Sequence, residues 1–276
     1  HQVIDSSYTD RVGIIRSYVD WRKHLFVEMK ERSENIDLHA RSAITERIRS
    51  RICSIGGVGT GNLVRFKGHR FIVTCRHVAD SFFDGNGPYV ILRDNQRIAR
   101  KNLSYAARSN DALDLDTAVI EVHDGSIETD FYEEEDFRLI DNFSEHPLYD
   151  SNLFFCGFPS HLSHTTEDGL GHMWMSYMTL PSEEKHPTEN FVYARYEMEE
   201  DSNINSEGLR TRLPEAPGLS GAFIFEVAPY EGDEEDIWSP DDVKVIAIQM
   251  SWDRKRWVKG INVKHALKMI SNLVST

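Results

Sequence analysis

The sequence predicts a mainly β protein: two consecutive sets of short strands, each forming a Greek-key barrel, with a helical extension before them and a helix after them. Three observations carry this. From about residue 51 onward, β-rich apolar runs recur with turn residues between them. The first fifty residues instead repeat apolar side chains at helical spacing. An acidic, irregular stretch then divides the strands into two groups. The 276 residues read as a helical extension over 1–50, a first barrel over 51–145 and a second barrel over 146–276.

The elements follow in order. Val12, Ile15, Val19 and Phe26 fall at near-helical intervals with charge between them. Ile44, Ile48 and Ile52 form a second stripe, and Asn35-Ile36-Asp37 separates the two helices. Packing of this extension on a barrel is expected; dimerisation or contact with a partner are the alternatives. Leu63–Phe66, Phe71–Thr74, Tyr89–Leu92 and Ala118–Val122 are the strands of the first set. Gly57-Val58-Gly59-Thr60-Gly61 leads into them. It is not a dinucleotide loop, because Asn62 stands where the third glycine would be and a strand follows. The second set starts at Leu153–Pro159, an apolar strand ended by Gly157-Phe158-Pro159. Met173–Leu180, Phe191–Met198, Phe223–Val227 and Val243–Met250 continue it, and Lys264–Leu273 reads as the closing helix.

Three motifs carry chemistry. Phe71–Asp80 is an apolar strand that stops at His77, followed by helix-like residues. Asp116 opens the alternating run Ala118-Val119-Ile120 and Val122, a half-buried strand whose mouth can hold a carboxylate rigidly. Ser220 lies between Gly218 and Gly221 in Pro217-Gly218-Leu219-Ser220-Gly221-Ala222. A serine hydroxyl is a poor nucleophile at neutral pH and needs an adjacent base. Histidine fits that task by its pKa, and a buried carboxylate fixes its tautomer.

In the order His, Asp, Ser, and in element type, the chain resembles the trypsin-like (chymotrypsin-fold) serine peptidases, closest to their bacterial and intracellular branch. The resemblance spans roughly residues 51 to 275. It implies a triad of His77, Asp116 and Ser220, with the N–H groups of Gly218 and Ser220 as oxyanion hole. Asp116 is preferred because Asp-x-Ala-Val-Ile matches the family pattern in register. Asp114, on the same strand face, is the alternative, and Asp111 comes third. Two residues depart from the family's Gly-Asp/Asn-Ser-Gly-Gly: Leu219 and Ala222.

The resemblance also implies a substrate pocket built from Leu213–Pro217, Met250–Asp253 and Lys259-Gly260-Ile261. Pro214, Glu215, Met250, Ser251 and Gly260 are its candidate residues. Pro214 occupies the place of the family's acidic selector, while Glu215 and Asp253 could supply charge, so a slight preference for Lys or Arg at P1 is expected. No metal or organic cofactor is required. His161 and His164, with His172 nearby, lack the second pair that a zinc site needs.

The net charge of −14 argues against a nucleic-acid partner. Its acid is concentrated in Glu133–Asp136, Glu197–Asp201 and Asp233–Asp236, which read as solvated loops; attraction of a basic substrate is the alternative. No signal peptide or long apolar span is visible, so no membrane partner is expected. Three cysteines, Cys53, Cys75 and Cys156, do not make a disulfide framework and read as buried thiols in a reducing, cytoplasmic setting. The expected function is that of an endopeptidase acting on a protein substrate, with a regulatory protein partner as a candidate. Relatives of this type act as effectors, for instance in antiphage defence. A catalytically inactive binding module or interaction scaffold on the same fold is the alternative.

Overall fold

The computed structural model describes residues 42–85, 87–92, 95–109, 115–141, 148, 151–160, 163–166, 169–172, 174–196, 216–227, 243–253 and 256–275. The chain divides into two compact units, His1–Ala40 and Arg41–Thr276, and every described residue belongs to the second. The stripe from Val12 to Phe26 and the acidic runs at 197–201 and 233–236 lie outside the described residues.

Helix α1 spans residues 42–49. Ile44 and Ile48, one turn apart, are buried together with Ile52 in the core of the first sheet. Arg47 and Arg51 both reach Asp136, at 2.9 and 3.4 Å, and Asp136 is only 6% exposed. The first acidic run is therefore not wholly a solvated loop: two guanidinium groups draw its last carboxylate inward.

Seven strands make the first sheet: β1 (Ile52–Ile55), β2 (Gly59–Phe66), β3 (His69–Thr74), β4 (Tyr89–Ile91), β5 (Arg97–Ala99), β6 (Leu103–Arg108) and β7 (Ala118–Val122). Their order is β5-β4-β1-β2-β3-β7-β6, antiparallel throughout. Helix α2 (Arg76–Phe83) follows β3 directly. The second sheet contains β8 (Asn152–Gly157), β11 (Met175–Thr179), β12 (Phe191–Arg195), β13 (Phe223–Val227), β14 (Val243–Trp252) and β15 (Trp257–Asn262). Its order is β11-β8-β13-β14-β15-β12, and a hairpin of β9 (Ser163–Thr166) and β10 (Gly169–His172) stands beside β8 and β11 in sequence. Helix α3 (Lys264–Val274) ends the chain and packs against β6 and β7. Among the described residues the architecture is mainly β, two curled antiparallel half-barrels with three α-helices.

Side chains alternate across a strand, so the second sheet can feed two cores. Phe154, Phe223, Phe225 and Val245 enter a core shared with the first sheet, α1 and α3. Leu153, Phe155, Ile224 and Ile246 enter a second core with Tyr177, Tyr196 and Leu219. The segment joining the sheets strengthens the shared core. Tyr132 exchanges backbone hydrogen bonds with Leu63 and Arg65 of β2, and its ring lies 5.3 Å from that of Phe223 on β13. Each such buried aromatic or aliphatic side chain contributes about 1.5–3 kcal/mol. The two sheets meet directly where β2 and the end of β3 approach β13 and β14: Asn62 Oδ1 accepts from Phe223 N–H at 3.3 Å and Cys75 Sγ donates to Gln249 O at 3.1 Å, both buried.

Candidate active site

His77 is placed by the switch from strand to helix. β3 is buried from Phe71 to Thr74, and the chain turns at Cys75 into α2, whose second residue is His77. β7 pairs with β3 so that Thr74 faces Ala118. Continued antiparallel by two residues, that register sets Asp116 beside Arg76 and next to His77. The contacts follow from it. The His77 backbone N–H donates to Asp116 Oδ1 at 3.0 Å, and His77 Nδ1 donates to Asp116 Oδ2. Burial raises the carboxyl's pKa, but the side-chain and backbone hydrogen bonds from His77 outweigh it and hold Asp116 below its usual value. An ionised Asp116 can only accept, so Nδ1 carries the proton. Among the described residues Nε2 has no partner, and the His77 side chain is 52% exposed. Asp114 and Asp111 lie outside the described residues.

Ser220 sits in the tight turn that leads into β13. The turn has two left-handed glycines, Gly218 at φ +93° and Gly221 at φ +95°. Neither tolerates a side chain: a Cβ at Gly218 would lie 2.3 Å from Ser160 N, and one at Gly221 would lie 2.0 Å from Thr60 O. Leu219 and Ala222 donate their N–H groups within the turn, to Ala216 and Leu219, and Gly221 donates to Gln249 O. The N–H groups of Gly218 and Ser220 have no acceptor among the described residues. Their orientation is nonetheless fixed, because a peptide unit is planar. Pro217 O accepts from Ser160 N at 2.8 Å and Leu219 O from Ala222 N at 2.9 Å, which turns the attached N–H groups the other way.

The Ser220 hydroxyl donates to Met250 O at 3.5 Å, the outer limit of a hydrogen bond, and makes none to His77 among the described residues. Met250 lies at a bulge where β14 slips relative to β15 between Gln249 and Ser251. A bulge leaves one residue out of the ladder, which explains why this carbonyl reaches the serine.

The expected substrate residues divide. Met250, whose carbonyl is Ser220's acceptor, and Ser251 next to it lie on β14, and Ser251 O accepts from Gln249 Nε2 at 3.4 Å. Gly260 stands opposite Gln249 on β15, but a Cβ there would lie 2.5 Å from Ile224 Cδ1, so its open side faces packed interior. Pro214 and Glu215 lie outside the described residues. Asp253 caps the β14–β15 turn, accepting from the N–H groups of Arg256 and Trp257 at 2.7 and 3.2 Å. Sequence reasoning missed Thr60 and Asn62, whose buried side chains bond from β2 to the serine turn.

Cys75 Sγ, a ring nitrogen of His77 and a carboxylate oxygen of Asp116 lie within 4.8 Å of one another. Metal ligation would need the thiolate, but burial and then the Asp116 charge raise the Cys75 pKa well above its usual value. The thiol instead donates to Gln249 O at 3.1 Å. All three cysteines are buried and free. Mass analysis under non-reducing conditions is expected to find three unmodified thiols, and reductant to leave function unchanged; a bridge among them would contradict both.

No family model and no curated protein matches the chain. Solved structures do. A mutant of human heparin binding protein aligns over 82% of this chain and 92% of that chain, at 12% identity and a TM-score of 0.51. A structure described for the coupled folding and binding of the intrinsically disordered Sesbania mosaic virus VPg protein aligns over 79% and 88%, at 13% identity and a TM-score of 0.45. The first likeness, with the two half-barrels above, defines the class: a chymotrypsin-like fold, the fold of the trypsin-like serine proteases. At this identity the likeness is one of fold alone. Among the described residues no helix is long and apolar enough to cross a membrane.

Proposed function

We propose that this protein is a serine endopeptidase that cleaves a protein substrate through His77, Asp116 and Ser220. One observation carries the reading: His77 is held by two hydrogen bonds to Asp116, and Gln249 O joins the chain just before it to the serine turn by accepting from both Cys75 Sγ and Gly221 N–H. The Gly218 and Ser220 N–H groups of that turn have no acceptor among the described residues. Rotation of the Ser220 hydroxyl from Met250 O to His77 Nε2 sets up the attack; contacts of this kind tighten when substrate binds. Nε2 takes the hydroxyl proton as Oγ bonds to the scissile carbonyl carbon. The N–H groups of Gly218 and Ser220 receive the oxyanion, and His77 returns the proton to the leaving amine. Water then repeats the sequence on the acyl-enzyme and regenerates Ser220.

A fluorophosphonate probe tests this directly. Stoichiometric labelling of Ser220, lost in His77→Ala, is expected; absence of labelling in the wild type overturns the reading. The second reading, a binding module without turnover, is favoured by the bond from Ser220 to Met250 O. It predicts an unlabelled serine.

We further place the protein in a reducing compartment, a reading supported by the three free, buried thiols. A role as a bacterial defence effector rests on the family resemblance. A proteome-wide comparison of cleavage products from wild type and Ser220→Ala would identify the substrate. Preference for Lys or Arg at P1 would draw on Glu215 or on the charge of Asp253, whose Oδ1 accepts from the N–H groups of Arg256 and Trp257.

Activation by a newly cut N-terminus is not expected. In secreted relatives that terminus pairs with an aspartate just before the serine. Here Leu219 fills that place and is fully buried in an apolar cluster with Ala216 and Ile224. An amine buried there would lack a counter-charge. Cutting between Arg49 and Arg51 is expected to give no gain in peptidase rate. A large gain that disappears when the new terminus is acetylated would show the opposite.

A further inference from the structure

The turn that carries Ser220 is held from the opposite half-barrel. Thr60 and Asn62 both lie on β2 and both are fully buried. Thr60 N–H donates to Ser220 O at 2.9 Å, and Thr60 Oγ1 donates to Gly218 O at 2.8 Å. The same hydroxyl accepts from Phe158 N–H at 3.0 Å, so both of its roles are used. Asn62 Nδ2 donates to Gly221 O at 2.6 Å, and Asn62 Oδ1 accepts from Phe223 N–H at 3.3 Å. Thr74, three residues before His77, donates its hydroxyl to Thr60 O at 2.7 Å. The carbonyls of Gly218, Ser220 and Gly221 are thus all held by two residues of β2, and β2 is tied to the strand that delivers the histidine.

We propose that Thr60 and Asn62 are positioning residues that lock the serine turn, keeping the N–H groups of Gly218 and Ser220 aimed at the substrate carbonyl. The inference rests on the peptidase reading for its catalytic consequence. The physical argument is local. With the Gly218–Leu219 and Ser220–Gly221 peptide planes both pinned, the Leu219–Ser220 unit between them cannot turn its N–H away. Gly218 is left-handed and has no side chain to resist rotation, so its conformation depends on these outside bonds. The Thr60 hydroxyl supplies the one at its own carbonyl. Thr60 touches no reacting atom and acts through the turn.

The test compares the full chain with Thr60→Val, which keeps the shape and loses the hydroxyl, and with Thr60→Ser, which keeps the hydroxyl. Thr60→Val is expected to lower kcat about 100-fold, the scale of losing one oxyanion donor, with KM changed by no more than about twofold. Thr60→Ser is expected to recover most of that loss. A merely structural role would instead lower the melting temperature and leave kcat unchanged, which would overturn the proposal. Thr60→Ala probes the same bonds with a smaller side chain if the valine variant does not fold. Labelling of wild-type Ser220 by the fluorophosphonate separates failure of the clamp from failure of the peptidase reading. Should the wild type not label, amide hydrogen exchange decides. Exchange in residues 158–160 and 216–222 is expected to quicken in Thr60→Val and not in Thr60→Ser, and equal exchange in all three proteins would overturn the clamp.

Discussion

Ser220→Ala and His77→Ala are each expected to lower kcat by about five to six orders of magnitude, with the double variant little worse than either. The non-additivity follows from their chemistry. Without the base the hydroxyl is not activated, and without the hydroxyl the base has no proton to take. Both variants are expected to fold. Among the described residues Ser220 Oγ makes one long hydrogen bond, and the His77 side chain is half exposed, so neither truncation opens a cavity in the core. Circular dichroism and thermal melting check the fold, and turnover of a peptide library checks the chemistry. Near wild-type turnover by Ser220→Ala would remove the mechanism.

Asp116→Asn is expected to lower kcat by about four orders of magnitude. An amide in place of the carboxylate can present N–H to Nδ1, which forces the ring proton onto Nε2, where the serine needs an acceptor. Asp114→Asn is expected to be mild, and the reverse ranking would move the role to Asp114. The same variant has a signature in stability. The folded-state pKa of Asp116 is lowered, so its ionised form is favoured more in the folded than in the unfolded chain. That contribution is present above the unfolded value, about 4, and is lost as pH falls through the lower folded value. The stability difference between wild type and Asp116→Asn is therefore expected to shrink as pH is lowered from 6 towards 3. A difference constant over that range would show that His77 does not stabilise the charged carboxyl.

Much of this molecule was legible in short stretches of chain. Ile44 and Ile48 announce a buried helical stripe because a helix repeats every 3.6 residues, but Ile52, the third residue of the expected stripe, opens strand β1 instead. Phe71–Thr74 and Ala118–Val122 announce strands by their apolar, β-branched content. His77, Asp116 and Ser220 stand out because each ends or begins such an element. The two glycines flanking Leu219 and Ser220 mark a turn that no other residue fits. The acidic run at Glu133–Asp136 was less legible. Charge runs usually face water, and only the approach of Arg47 and Arg51 from another element decides that Asp136 is buried.

What the sequence by itself determined is the mainly β class and the longer apolar strands, such as Phe71–Thr74, Ala118–Val122 and Phe223–Val227, because periodicity and turn chemistry act between neighbours in the chain. Short strands such as β5 and β6 carry too weak a local pattern to be read. The tertiary structure alone decided how the site is held. Thr60 bonds to Gly218 across 158 positions and Asn62 to Gly221 across 159, and neither residue carries a local mark of that role. The bulge at Met250 likewise arises from the register of two strands, not from either one. Such contacts exist only once the two sheets have closed on their shared core, because that closure fixes which buried carbonyl meets which donor.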